Sequence, residues 1–229
     1  MATTKKEIPG KVTLLNVRLS FANLYEPNKQ KQDDGSVKEN WKANFLIPKE
    51  EAAKMEGVFK GKKMPILKAI KAAGDEAKAK KWGDDEKKWP KLKAEKKCFR
   101  DGDEENWDGY AGQHYISANA VLADRPTVIT NRKDANGKWI EAEPGGKNAP
   151  YAGCYVNAVL VLWVQDNEHG KRLNAQVKAV QFLKDGEAFG GTSIDVDEEF
   201  EDDMVGSEGS IGDDFSDDDD DGEDDDDMI

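Results

Sequence analysis

Arg18, Lys42, Tyr115, Tyr155, Trp163, Arg172 and Lys178 fall on the polar sides of segments whose residues alternate between apolar and polar. If those sides form one sheet surface or its rim, the cations neutralise phosphates while the flat rings stack on unpaired bases. Stacking contributes ~1–3 kcal/mol per base and tolerates any sequence, because every base has a π face. Trp107 and Trp139, with Tyr110 and Tyr151, lie beside Gly or charged residues in predicted loops, where large rings are hard to explain as core. They extend the set as loop contacts. Packing is the competing explanation for each ring, since aromatic residues are enriched in strands for that reason alone. Trp163, within "VLVLW", could be covered by a neighbouring helix, and Trp41 and Phe45 share an apolar side with Ile47 and are assigned to the core.

Catalytic chemistry finds little material. The two histidines, His114 and His169, are not spaced as metal ligands with each other or with Cys98 and Cys154, so neither a metal nor any other cofactor is expected. "GVFKGKK" is one spacer short of a phosphate-cradling loop and lacks a Ser or Thr after its lysine. "DGDEENWDGYAG" has Asn106 where a calcium loop needs Gly and Gly112 where it needs Glu. A metal-dependent nuclease would need a carboxylate cluster around Asp101 and Asp103. No catalytic residue is assigned, and the chain is not expected to be an enzyme.

The elements that must position these residues are mostly strands. "KVTLLNVRLSFANL" alternates Val12 and Leu14, slips at Leu15-Asn16, and resumes with Val17, Leu19 and Phe21 inward, as a bulged strand would. "VKENWKANFLIP" places Trp41, Ala43, Phe45 and Ile47 on one side and Lys42 and Asn44 on the other. Between them "EPNKQKQDDGS" suits a long hairpin loop. "KEEAAKME" and "MPILKAIKAAGDEAKAKKW" carry helical spacing and predict a helical insert, and residues 84–106 an irregular excursion. "GQHYISANAVLA" and "PTVIT" return to strand, an exposed loop follows, and "GCYVNAVLVLWVQD" and "KRLNAQVKAVQFL" form the last hairpin through "NEHG". The pattern predicts a mainly β, OB-fold-like five-stranded antiparallel barrel with a helical insert.

Charge divides the chain. Its net charge is -13, yet 20 of its 47 Asp and Glu fall in residues 194–229, which hold no Lys or Arg. The remainder carries 27 acids against 34 bases, a net of +7. This predicts a flexible N-terminus over residues 1–10, a basic domain over 11–193 and a disordered acidic tail over 194–229. As a coil the tail spans on the order of 35 Å, while the body's radius of gyration is about 16 Å, so it can reach the body's own cations and mimic a phosphate backbone. Phe215, Asp224, Asp225, Asp226, Asp227, Met228 and Ile229 form a candidate partner-binding tip, an apolar end after acidic residues that fits a small pocket ringed by bases. An acidic chaperone or DNA mimic that captures a basic protein through this tail is the alternative from another functional class. No apolar h-region opens the chain and no apolar run approaches the ~18 residues of a membrane span, so a cytoplasmic location without a membrane partner is expected. Two cysteines make no disulfide framework.

One long stretch also resembles a known family. "YAGCYVNAVLVLWVQDNEHGKRLNAQVKAVQFLKDGEAFGG" is similar to the C-terminal signature of a family of bacteriophage single-stranded-DNA-binding proteins, formerly a domain of unknown function. The matching pieces are Gly153-Cys154-Tyr155-Val156, Asn174, Gln181, Asp185-Gly186-Glu187 and Phe189-Gly190-Gly191, with "RDGD" from Arg100 and "YAGQHYISANA" upstream. The likeness runs from about Lys11 to Gly191. It implies an OB-fold that binds single-stranded DNA, with duplex DNA tolerated by some members, in phage replication or recombination within an infected bacterial cell. It also implies an acidic tail that engages replication or recombination proteins. The aspartate run here is longer than the tails of that type, and the signature identifies no contact residues.

Overall fold

The computed structural model describes residues 7–32 and 34–189. The chain divides into two units, residues 1–191 and 192–229, and the second lies outside the described residues. The tail assigned above, with Phe215, Asp224 to Asp227, Met228 and Ile229, therefore lies outside them as well.

Ten strands and one helix make up the first unit: β1 Lys11–Lys31, β2 Val37–Pro48, β3 Glu56–Phe59, β4 Lys62–Pro65, α1 Ile66–Trp82, β5 Phe99–Asp101, β6 Gln113–Val121, β7 Thr127–Lys133, β8 Trp139–Glu141, β9 Tyr155–Asn167 and β10 Gly170–Lys184. The sheet order is β5-β6-β2-β1-β9-β10-β7-β8, with β3 and β4 attached to β1. The long strands β6, β2, β1, β9 and β10 form its centre. Residues just before β5 stitch the two ends of that centre together. The Cys98 N–H donates to the Leu173 carbonyl of β10 at 2.8 Å, and the Cys98 carbonyl accepts from the Ser117 N–H of β6 at 2.9 Å.

Ten strands replace the five expected, because short pairings were hidden in segments read as loop or helix. "GVFKGKK" forms the β3–β4 hairpin, its turn made by Lys60 and Gly61, both at positive φ. Among the described residues α1 is the one α-helix, beside four single-turn 3-10 helices, and "KEEAAKME" forms turns leading into β3. The segment read as a long loop after Glu26 is strand up to Lys31, paired with β2 through Lys31 opposite Val37. β7 runs parallel to β10, a departure from an all-antiparallel arrangement.

Alternation places the core. Val12, Leu14, Val17, Leu19, Phe45, Ile47, Ile116, Val156, Ala158, Leu160 and Val177 are fully buried between the curled strands. α1 lays Ile66, Ala69, Ile70, Ala73 and Ala77, spaced three or four apart, against this body. Gly74 faces Leu173 and Leu162, and a Cβ there would make ordinary van der Waals contact with both. Ordered contacts begin before β1: the Gly10 N–H donates to Glu76 at 2.7 Å and its carbonyl accepts from Leu162 at 2.8 Å. Both cysteines are free and buried, and burial pushes the Cys98 thiol up to about 12 and the Cys154 thiol up to about 11.

β1 bulges twice. The first bulge, between Leu14 and Val17, coincides with the slip in the sequence pattern and puts Asn16 at φ +53. A second, between Ser20 and Asn23, carries Phe21 at φ +46 and turns its ring outward to 42% exposure, while Leu24 takes the inward place. Phe21 is therefore not a core residue, contrary to simple alternation.

Candidate nucleic-acid interface

The outer face of β1, β2 and β6 carries Ser20, Lys42, Asn44, Leu46, Tyr115, Ser117 and Asn119. One part is sealed by the loop before β6. Tyr110 lies over Asn44 and Ser20, its hydroxyl accepting from Asn44 Nδ2 at 2.7 Å and donating to Ser20 Oγ at 3.2 Å. Leu46, Tyr110 and Tyr115 form a small second core with Phe189 packed against it. This explains why both faces of β2 are buried around Asn44 and Leu46. Lys49 fixes the loop's beginning, with its Nζ 2.5 Å from Asp101 and 2.6 Å from Asp103. The Lys49 hydrogen bonds hold both carboxyl groups below their usual range, helped by the Asp103 N–H for Asp101 and the Gly112 N–H for Asp103. The carboxylates weighed for a metal enzyme thus form an ion-paired clamp, and among the described residues no group of three or more His, Cys, Asp and Glu is placed to hold a metal.

Beyond this seal the surface opens into a groove. One cavity of about 440 Å³ is lined by Asn28, Lys29, Asn40, Lys42, Arg100, Trp107, Tyr115 and Asn119, among others. It shares Asn40 and Asn119 with a second, of about 770 Å³, which continues over the β9–β10 hairpin along Trp163, Gln165, Arg172, Asn174 and Gln176. A small cleft joins Arg100 to Arg172. At one end Trp107 is 40% exposed and meets Phe21 edge-on with ring centroids 5.1 Å apart, and Lys42 Nζ stands 5.3 Å from the Phe21 ring. Along the other arm Trp163 is 45% exposed, opposite Asn174 in the β9–β10 register. α1 does not cover it.

Among the described residues, Lys42, Arg100 and Arg172 have no carboxylate within ion-pair distance. Arg100 is aimed by backbone carbonyls, donating from Nε to Lys97 at 2.9 Å and from Nη2 to Glu95 at 3.3 Å. No carboxylate of the described residues competes with an external anion for them. Lys29 also lines the groove but sits 3.6 Å from Glu39.

Five of the nine nucleic-acid residues expected from sequence, Lys42, Trp107, Tyr115, Trp163 and Arg172, are thus brought to one continuous surface. Tyr115 arrives with its ring buried at 1% exposure and its hydroxyl bonded to Glu105; burial and that carboxylate push its pKa up to about 12. It supports the groove wall and offers no open face for stacking. Tyr110, fully buried, is likewise closed to a ligand, and the Tyr151 hydroxyl is occupied by Gly186.

The other four stand elsewhere. Arg18 donates to the Gly153 carbonyl at 3.2 Å and the Glu187 carbonyl at 2.7 Å and lies 4.1 Å from the Phe189 ring. Tyr155 packs under Gly186 and Lys184, whose Nζ is 4.5 Å from its ring. Together these residues latch the segment after β10 onto the sheet. Gly153 is required there: its φ is +112, and a Cβ would come within 2.1 Å of the Glu187 carbonyl oxygen. Lys178 is 3.7 Å from Asp124. Trp139 is exposed on the β7–β8 ribbon with Lys133 4.6 Å from its ring. Phe21, Arg100 and the asparagines went unrecognised in the sequence. Phe21 looked inward because its bulge has no sequence marker, whereas three asparagines at outward strand positions, where Asn is disfavoured, were a readable signal.

Comparison with known proteins bears on the family and the fold. The profile of a family described as "Enterobacter phage Enc34, ssDNA-binding protein" matches residues 10–223. Protein p50 of Acyrthosiphon pisum secondary endosymbiont phage 1 is 38% identical over 196 residues, 84% of this chain and 93% of that protein. The single-stranded DNA-binding protein from bacteriophage Enc34 in complex with ssDNA aligns over 81% of this chain and 97% of its own, with TM-score 0.58 and 25% identity. A second structure of that bacteriophage Enc34 protein gives TM-score 0.57 at 23% identity over 86% of this chain and 97% of its own. This chain shares its mainly β, OB-like fold with these two solved structures.

Proposed function

We propose, on the premise that this chain belongs to the family of the Enterobacter phage Enc34 ssDNA-binding protein, that it binds single-stranded DNA irrespective of sequence through the groove running from Phe21 and Trp107 to Trp163. The observation that carries the proposal is the set Lys42, Arg100 and Arg172, unpaired among the described residues, along one groove whose exposed rings stand beside them. Cations along a track with rings for stacking are the requirement for holding a bare strand, and they place no demand on base identity. The role is coating transient single strands during phage replication or recombination in the cytoplasm of the infected cell, with no reaction catalysed. Duplex DNA is a weaker ligand, held by its phosphates alone.

The acidic tail has two tasks in this reading. It competes with DNA for the body's cations, and its end, Asp224 to Ile229, recruits replication or recombination proteins. Support for the first task is the division of charge: residues 194–229 hold 20 Asp and Glu and no Lys or Arg, against a net of +7 in the remainder. Fluorescence anisotropy with labelled oligo-dT, using the full chain and a chain ending at residue 193, tests both groove and tail. Truncation should tighten binding while a steep salt dependence remains. Equally weak binding by both proteins at low salt would reject the groove.

A further inference from the structure

We infer that the cavity over β1, β2 and β6 is a subsite for the edges of unpaired nucleobases, floored by a ladder of asparagine amides. This rests on the single-strand reading above and adds what distinguishes one strand from two. Asn28 Nδ2 donates to Asn40 Oδ1 at 3.3 Å, and Asn40 Nδ2 donates to Asn119 Oδ1 at 3.2 Å, so one chain of amides crosses three adjacent strands. All three line the cavity. A side-chain amide has two N–H donors and two acceptor lone pairs, and the ladder consumes only part of this capacity.

Neutral amides do little to neutralise a phosphate. They do match the donor and acceptor edge of a base, and because each carries both functions they can meet any of the four. That is compatible with sequence-tolerant binding. It also demands a free edge, which a paired base has already used.

Asn44 supplies an independent sign. It lines the same cavity at 1% exposure, and with Nδ2 committed to Tyr110 its Oδ1 is shut from solvent with no hydrogen-bond partner. A buried acceptor without a partner is destabilising, and a donor that reached it past the Tyr110 ring would satisfy it. Base imino and amino N–H groups are such donors. Beside this floor, Phe21 holds its ring outward from a left-handed backbone that bulky residues rarely adopt, edge-on to Trp107. Amides below, rings at the side and Lys42 and Arg100 at the rim provide for edge, face and phosphate in turn.

The test compares oligo-dT with an oligomer of N3-methylthymidine, equal in charge and stacking surface but blocked at its imino edge. It uses the full chain and the variant Asn40→Val/Asn119→Val, whose valines suit strand positions. We expect methylation to weaken binding to the natural protein about tenfold. The double variant should lose a similar factor on oligo-dT, become indifferent to methylation and keep its salt slope. Tight, equal binding of both oligomers by the natural protein would overturn the subsite while leaving the groove intact. A reduced salt slope in the variant would overturn it too, by assigning the amides to phosphates. Failure to bind either oligomer at low salt would reject the groove and this inference together. The oligomer comparison on the natural protein decides the matter even if the variant misfolds.

Discussion

Two regions of this molecule use the same side-chain chemistry for opposite ends. Around Arg18, Tyr155, Lys184 and Phe189, cations and rings face one another, and the guanidinium donates to the Gly153 and Glu187 carbonyls while lying over the Phe189 ring. Around Lys42, Arg100, Trp107 and Trp163, cations and rings stand side by side and the cations have no carboxylate partner among the described residues. In the first region the electrostatic capacity is spent inside the protein. In the second it is left for a ligand. An outward cation on a strand is therefore only half of a binding argument; the other half is whether it opens onto the groove, as Arg100 does even though it also donates to the Lys97 and Glu95 carbonyls.

The sharpest way to break the comparison is to attack the latch. Gly153→Ala sets a methyl group within 2.1 Å of the Glu187 carbonyl oxygen at a backbone angle that L residues avoid. We expect it to lose roughly 3 kcal/mol or more, read by thermal or denaturant unfolding. Arg18→Ala removes two hydrogen bonds from a charged donor and should cost about 2 kcal/mol, a fall of about 4–8 °C in Tm for a domain of this size. Its salt slope for oligo-dT should equal that of the natural protein. A slope lowered by a full phosphate contact would move Arg18 into the groove and dissolve the distinction.

The next effect belongs to the groove. Trp163→Ala should weaken oligo-dT binding by about 1–3 kcal/mol with the salt slope preserved, as loss of a stacking face requires. Arg100→Ala and Arg172→Ala should each weaken it less at moderate salt while lowering the slope by ~0.7, the value of one phosphate on a single strand. Neither Trp163→Ala nor Arg172→Ala should shift Tm by more than a few degrees, whereas Arg100→Ala also loses its bonds to the Lys97 and Glu95 carbonyls. Anisotropy titrations over a salt series, paired with melting curves, separate the roles. A fall in Tm that parallels the fall in affinity would make these residues structural.

Much of this arrangement was legible beforehand, for reasons that also mark its limits. Alternation identified the inward faces of β2 and β9, because one methylene-rich side must meet the core whatever the neighbours are; along β10 it held for Leu173, Ala175 and Val177 and failed at Ala179, since a bulge there turns Val180 and Phe182 inward. It placed Lys42, Trp163 and Arg172 outward for the same reason. Alternation carries no information on which outward residues meet across strands distant in sequence, so it could not separate Arg18 and Tyr155 from the groove. Nor could it foresee that residues 102–112 fold back over β2 and bury Tyr110 and Tyr115 on the outer face. The glycines of the family-like signature were visible as types, and only the close approach of Gly153 to Glu187 and of Gly186 to Tyr155 shows that they serve the latch and not the ligand.

The smallest effect concerns the clamp that joins the sealed face to the open one. Asp101 and Asp103 bind Lys49, and Asp103 also accepts from the Gly112 N–H, so together they hold both ends of the loop bearing Trp107. Their carboxyl pKa values are lowered in the folded protein, first by Lys49. A lowered folded-state pKa means that the stabilisation is complete above the ordinary carboxylate value of about 3.9 and disappears as pH falls through the lowered one. Acid should accordingly loosen this loop below about pH 4, read as a change in Trp107 emission in a protein whose other tryptophans are replaced by Phe. Lys49→Met should show the loosened signal already at neutral pH and lack the acid step. Oligo-dT is the suitable ligand for following affinity alongside, because thymine does not take up a proton in this range. If the acid step survived in Lys49→Met, the clamp would not be what positions Trp107, and the division between a self-satisfied face and an available one would need another boundary.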